Sequence, residues 1–302
     1  MSEIVLLETE SEFDNIKCIS IPFDDSVPEY YAISYRWGVH PEWKAQTPNY
    51  TASITSVSQG NLIKLCKLYR SKIRYLWIDV ICINQADKFH RKMAIKNMDN
   101  IYRRAKRIVA VPDLCYCDQN PHPIRLVKEE ILCAVKDIWS RQMELFPYGY
   151  RKYLGDDHED LLSSKGAIFI YQIVQDWASR CWVISERTIG VNGKKMDMII
   201  ISANVDIPYL LCESFFGIDW YGIVFGRDLI TTIIYCKSTK YIDRLFAIFP
   251  HTIYKDLVPK LVDENRTIDN MTDLKKTLLD IVDCHDKLTL LYIVVADGGY
   301  QP

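Results

Sequence analysis

Polar side chains set into apolar runs are where chemistry is first sought. One such run, Trp77-Ile78-Asp79-Val80-Ile81-Cys82-Ile83-Asn84-Gln85, carries a carboxylate in its body and ends on two amides. A carboxylate buried without hydrogen-bond partners is costly, so Asp79 either holds a neighbouring loop by its backbone amides or acts directly on a ligand. Asn84 and Gln85 either cap a following helix or reach a bound molecule. A second polar group, Ser34-Tyr35-Arg36-Trp37, ends the aromatic and β-branched segment that begins at Tyr30. Cys115, Cys117, His122 and Cys133 also lie close in sequence. Their spacing, C-x-C-x4-H-x10-C, matches no common zinc pattern, and cysteine is among the most often buried residues, so no metal is expected. There is no G-x-G-x-x-G. Asn192-Gly193-Lys194-Lys195 lacks the spaced first glycine and the Ser/Thr of a P-loop, so neither device holds a nucleotide here.

The elements that position these groups follow from periodicity. Tyr30–Tyr35 reads as a strand, bounded by Pro28 and Gly38. Leu62, Leu65, Cys66 and Tyr69 share one helical face, and the Tyr75–Ile83 run reads as the next strand. Ala94, Met98, Ile101, Tyr102 and Ala105 mark a helix from about Lys88 to Lys106, and Ile108–Val111 follows as a strand closed by Pro112. Strand, helix, strand, helix, strand is the rhythm of a parallel α/β sheet. In such sheets ligands bind outside the carboxyl ends of the strands, where both polar groups fall. An irregular insertion is expected over about 114–160, with one helix near Val127–Trp139. A second helix is expected over Leu161–Ala178, and Ser179 is placed to cap a turn carrying Cys181–Glu186. Ile189–Met196 reads as a hairpin around Asn192-Gly193, its second strand extended by Met198–Ile201. Residues 206–302 read as a mainly helical extension packed on a core domain of residues 1–205, with Ile230–Tyr235 and Leu288–Ala296 buried.

Composition bounds the function. With 302 residues, 49% hydrophobic and 25% charged, the chain has the make-up of a globular protein able to bury a sizeable core. Its net charge of −2 draws it to no nucleic acid, and its basic cluster, Arg103-Arg104-Ala105-Lys106-Arg107, suits a helix C-terminus. No apolar run is long enough to span a bilayer, and the acidic start MSEIVLLETESEFDN is no signal peptide. A cytoplasmic setting is expected, with the ten cysteines as thiols.

Taken in order, three blocks resemble the HET domain, the heterokaryon-incompatibility module of filamentous fungi. Tyr31–Gly38, YAISYRWG, resembles the family's Y-x-A-L-S-Y-x-W-G. LWIDVICINQADKFHRKMAIKNMDNIYRRAKRIV, starting at Leu76, resembles its long second block, L-W-I-D-A-I-C-I-N-Q-x-D with the helix that follows. Ser179–Glu186, SRCWVISE, is similar to R-x-W-T-L-Q-E, and Asp243–Ile248, DRLFAI, echoes D-R-x-Y-A-L. Two departures stand out: Val111-Pro112-Asp113 where members read W-L-G, and Ser185 in place of a glutamine. The resemblance implies a fold related to TIR domains, a flavodoxin-like parallel sheet with flanking helices. Several TIR domains hydrolyse NAD⁺ with a glutamate at W-x-x-x-E, the spacing of Trp182 and Glu186.

By that resemblance Glu186 is the catalytic carboxylate, with NAD⁺ or a related nucleotide as substrate and no cofactor. The reaction is hydrolysis, cyclisation or transfer to another nucleotide, switched on by self-association under an upstream recognition partner. Ser34, Tyr35, Arg36, Trp37, Asp79, Asn84, Gln85 and Trp182 are the candidate nucleotide-binding residues. Tyr35 or Trp37 would stack on a base, and Arg36 would grip the pyrophosphate. Structural roles compete for each: Arg36 pairing with a carboxylate, Trp182 as core or wall, Trp37 packing its loop, Glu186 bridging to Arg180 or holding a backbone amide. A module that self-associates to trigger cell death without turnover is the alternative of a different class.

Overall fold

The computed structural model describes residues 3–145, 164–207 and 229–298. The chain divides into two compact units: Met1–Ala178 with Ile189–Ile218, and Ser179–Thr188 with Asp219–Pro302. The first unit is built on a seven-stranded sheet of β1 (Glu3–Glu8), β2 (Cys18–Pro22), β3 (Tyr30–Tyr35), β6 (Tyr75–Trp77), β7 (Arg107–Val111), β8 (Met196–Ile200) and β9 (Val205–Ile207). Its order is β2-β1-β6-β3-β7-β8-β9. The four central strands are mutually parallel, and β2, β1 and β9 close the two edges in antiparallel fashion. The protein is thus α/β, with a mostly parallel central sheet and flanking helices. The parallel strands are covered on both faces and hold near-continuous apolar residues: Ala32, Ile33, Ile108, Val109, Ala110 and Val111 are all sealed. Numbered by their sequence, the parallel strands lie in the order 2-1-3-4, so the connections diverge between β3 and β7. A small sheet of β4 (Trp43–Gln46) and β5 (Thr51–Ile54) sits in the connection that follows β3.

Helix α1 (Gln59–Tyr69) starts on Ser58, whose hydroxyl accepts from the Asn61 N–H, and buries Leu62, Leu65, Cys66 and Tyr69 as its spacing predicts. Helix α3 (Lys88–Arg104) starts on Asp87, which accepts from the N–H groups of Phe89 and His90. At the other end, Lys195 Nζ donates to the carbonyls of Tyr102, Arg103 and Ala105 at 2.9, 2.6 and 2.8 Å. An ammonium on the last carbonyls of a helix meets both their unsatisfied acceptors and the negative end of the dipole.

Three expectations need correction. The strand over Tyr75–Ile83 stops at Trp77, and Asp79–Cys82 forms a helical turn, α2, so Asp79 is no mid-strand residue. An aspartate in the first turn of a helix is favoured by the exposed N–H groups, which a strand interior does not offer it. The hairpin at Asn192-Gly193 does not form either. Cys181–Asn192 is one helix, α6, and Gly193 and Lys194 stop it: the Gly193 N–H reaches the Ile189 carbonyl and Lys194 takes a φ of 51°. The left-handed residue that ends the helix is Lys194, one position beyond the Asn-Gly pair. The hairpin that does form joins β8 to β9, with Asn204 at φ 53°. The third correction concerns the last helix, Cys284–Gly298. Leu290 and Ile293 are buried, but Leu288, Leu291 and Tyr292 are exposed, a single buried stripe rather than a sealed run.

Helices α4 (Lys128–Leu145) and α5 (Lys165–Ala178) lie in the expected insertion and after it: α4 runs six residues past the expected Trp139, and α5 ends at Ala178 as expected. They approach closely at Gly166, where a Cβ would fall 2.6 Å from Ala134 Cβ. Residues 146–163, which take in the end of the insertion and the expected start of the second helix at Leu161, lie outside the described residues.

The second unit is helical. The residues of α6 up to Thr188 belong with α7 (Leu229–Tyr235), α8 (Ile242–Ile248), a 3₁₀ turn at Phe249–His251, α9 (Leu257–Asp263), α10 (Met271–Ile281) and α11 (Cys284–Gly298).

Candidate functional site

In the first unit the carboxyl ends of β3, β6 and β7 bring most of the expected residues together. Tyr35 ends β3 and donates its phenol proton to Asp79 Oδ1 at 2.8 Å. Trp37, two residues on, donates its indole N–H to Asp79 Oδ2 at 2.9 Å. One carboxylate thus clamps two aromatic side chains through side-chain donors, rather than a loop through its amides. Trp37 remains 44% exposed, so a ring face is open to solvent while its edge is fixed. Gln85 donates to the Asp79 backbone carbonyl at 3.2 Å, which ties the loop after α2 to the same turn. Asn84 accepts from the Ala86 N–H, a local turn, and the helix cap falls to Asp87 instead. The Asn84 N–H in turn donates to His90 Nδ1 at 3.1 Å. Burial holds the His90 pKa below its ordinary value, Asp87 opposing, and an accepting Nδ1 fits the neutral ring. Arg91 donates to the Gln85 carbonyl. The polar end of the opening run is therefore a braced loop.

Ser34 is sealed, and its hydroxyl accepts the indole N–H of Trp177 at 2.9 Å. Arg36 points to a different set of groups: its guanidinium donates to the Tyr116 hydroxyl at 3.0 Å and pairs with Asp176 at 3.2 Å. Tyr116 stacks edge-on against His122, and His122 against Phe169, with centroids 4.8 and 4.9 Å apart. Arg36 follows β3 and Tyr116 follows β7, so this cluster lies at the point where the sheet's connections diverge. Sequence reasoning missed Tyr116, Asp176 and Phe169. Asp176 had one available signal, a carboxylate directly before the buried Trp177. Tyr116 lay in a stretch without periodicity and had none.

The departure at Val111-Pro112-Asp113 has a structural role. Asp113 is buried and accepts from the N–H groups of Ile201 and Ser202, both at 2.9 Å, fixing the loop between β8 and β9. Burial nevertheless raises its carboxyl above the ordinary range, against the pull of those donors. Gly38 is required by close approach: a Cβ there would fall 2.6 Å from the Cys115 carbonyl oxygen and 2.7 Å from His40 Nε2.

Trp182 and Glu186 belong to the second unit and occupy one helix, four residues apart. Trp182 is half-buried, and its indole donates to Asp243, whose pKa burial pushes up to about 6, with Lys240 and that hydrogen bond opposing. Arg244 beside it donates to the carbonyls of Ile233 and Ile234 and to Ser238 Oγ, capping α7. The downstream Asp-Arg pair thus docks the third block and closes a helix at the same time. Glu186 is 8% exposed. Ser185, the other departure, lies 2.7 Å from His251 Nε2 through its hydroxyl.

Among the described residues no group of three or more His, Cys, Asp or Glu side chains is placed to hold a metal, and no helix is long and apolar enough to cross a membrane. The nine cysteines among them are free thiols. No curated protein and no solved structure matches the chain. Residues 30–186, which run from the first residue of β3 to the buried glutamate of α6, match the family described as heterokaryon incompatibility protein (HET). The chain belongs to the HET family.

Proposed function

We propose that this HET-family protein serves self/non-self recognition leading to cell death, and that it does so by hydrolysing NAD⁺ at the nicotinamide–ribose bond when self-associated. The observation that carries this reading is the family segment itself: it closes on Glu186, four residues after Trp182 on one helical turn, the W-x-x-x-E spacing of NAD⁺-cleaving TIR domains. The strand order 2-1-3-4 supports a TIR-like, flavodoxin-like sheet, in which ligands bind where the connections diverge.

The chemistry asks little of the protein. Nicotinamide leaves as a neutral molecule from a cationic ring, so no general acid is needed. As the C1′–N bond breaks, positive charge builds on the ribose, and an ionised carboxylate stabilises that oxocarbenium-like transition state before water adds at C1′. Glu186 fills that role. Within the first unit, Arg36 offers a donor suited to a phosphate group. Its present partner, Asp176, is exposed enough for their pair to be worth about 0–1 kcal/mol, so a phosphate can replace it. Trp37, with its edge held by Asp79, offers a ring for stacking without having to be ordered first.

The burial of Glu186 favours a second reading, in which the helix is structural and the protein signals by assembly alone. One assay divides them: nicotinamide release from NAD⁺ by the purified chain over a wide range of protein concentration. Turnover that falls about a hundredfold or more in Glu186→Ala, with an unchanged circular dichroism spectrum, supports the enzyme. No release at concentrations where the protein is assembled overturns it.

A further inference from the structure

Outside these groups the first unit holds a cysteine beside a buried histidine. His40 follows β3 and is fixed by its backbone N–H, which donates to the Thr55 carbonyl at 2.9 Å. His40 is 6% exposed, and its Nδ1 lies 3.4 Å from Cys117 Sγ, within reach of a thiol hydrogen bond. Nε2, on the other side of the ring, is buried against Gly38 and the Cys115 carbonyl, with no hydrogen-bond partner of good geometry. Burial lowers the pKa of His40, and the Cys115 carbonyl opposes this, so the ring is neutral near neutral pH. A neutral imidazole carries one proton. With that proton on Nε2, the Nδ1 lone pair faces sulfur and accepts from the thiol.

Cys117 differs from its neighbour. Cys115 is sealed, and burial pushes its thiol up to about 11, whereas Cys117 is only half-buried. Its position is set by a tight turn in which Cys117 and Asn120 exchange both backbone hydrogen bonds, each 3.0 Å.

We propose that Cys117 and His40 form a thiol–imidazole pair that makes Cys117 a preferred site of covalent modification by small electrophiles. With an alkylating carbon centre such as iodoacetamide, Nδ1 takes the thiol proton as the S–C bond forms, and the C–I bond breaks to release iodide. The imidazole acts as general base on the thiol during attack, so the nucleophile is generated as the new bond forms.

The test uses the full chain and iodoacetamide at pH 7.5, with alkylation of each cysteine followed in time by mass spectrometry. Cys133 and Cys284 are more exposed than Cys117 and serve as internal references. Cys117 is expected to react on the order of tenfold faster than either, and His40→Gln to remove that advantage while leaving the two references unchanged. Continued protection of Cys66, Cys82 and Cys115 shows that the variant is folded. The proposal is overturned if Cys117 reacts no faster than Cys133 and Cys284 in the wild type, or keeps its advantage in folded His40→Gln. Should the variant unfold and expose the buried cysteines, the wild-type ratio alone decides.

Discussion

Asp79 shows how much a single side chain organises. Its two oxygens accept from Tyr35 and Trp37, and its own carbonyl accepts from Gln85. Asp79→Ala takes this acceptor from the phenol, whose contact to Ser56 Oγ is longer at 3.3 Å, and from the indole edge. Unmaking hydrogen bonds to a charged group costs about 1–3 kcal/mol, a loss that urea denaturation at fixed m-value measures. Asp243 makes a prediction of the opposite sign with pH. Its folded pKa of about 6 stands above the ordinary 3.8, so the folded state holds the proton more tightly than the unfolded one. The contribution of Asp243 to stability is greatest below pH 4 and is lost as the pH rises through 6. Asp243→Asn keeps an acceptor for Trp182 and is expected to abolish that slope and to gain up to about 3 kcal/mol at pH 7, read from denaturation midpoints across pH.

At the level of elements, one lysine bridges distant parts of the sequence. Lys195 lies just before β8 yet caps α3, ninety residues earlier in the chain. Lys195→Met keeps the stem and removes the donors. The expected cost is about 1–2 kcal/mol, with hydrogen exchange quickening in the last turn of α3 before the rest of the helix. Its neighbour behaves in reverse. Lys194 holds a positive φ that β-carbon-bearing residues adopt at a cost, so Lys194→Gly should raise the melting temperature by a few degrees, corresponding to about 0.5–1 kcal/mol. Gly166 sets the spacing of α4 and α5, a contact the spacing of apolar residues does not encode.

For the whole molecule, the proposed dependence on self-association predicts that nicotinamide released per milligram climbs with protein concentration and levels off once assembly, followed by light scattering, is complete. A specific activity constant over that range removes self-association from the reading. What the sequence by itself determined is what short-range pattern and block order carry. The parallel strands at Tyr30 and Ile108, the helices buried through Leu62 and Ala94, and the family blocks from Tyr31 to Glu186 were all legible, because period and order survive without coordinates. The antiparallel strands β1 and β2 went unread, although Ile4-Val5-Leu6-Leu7 is a buried apolar run, because residues 9–17 between them are too long a connection to carry the signal of a tight hairpin turn. Only the tertiary structure decided that Asp79 begins a helix and clamps two rings, that Asn192-Gly193 ends a helix, and that Arg36 meets Tyr116 and Asp176. The clamp at Asp79 and the contacts of Arg36 depend on where hydrogen-bond partners from tens of residues away come to lie, and no local propensity contains those positions.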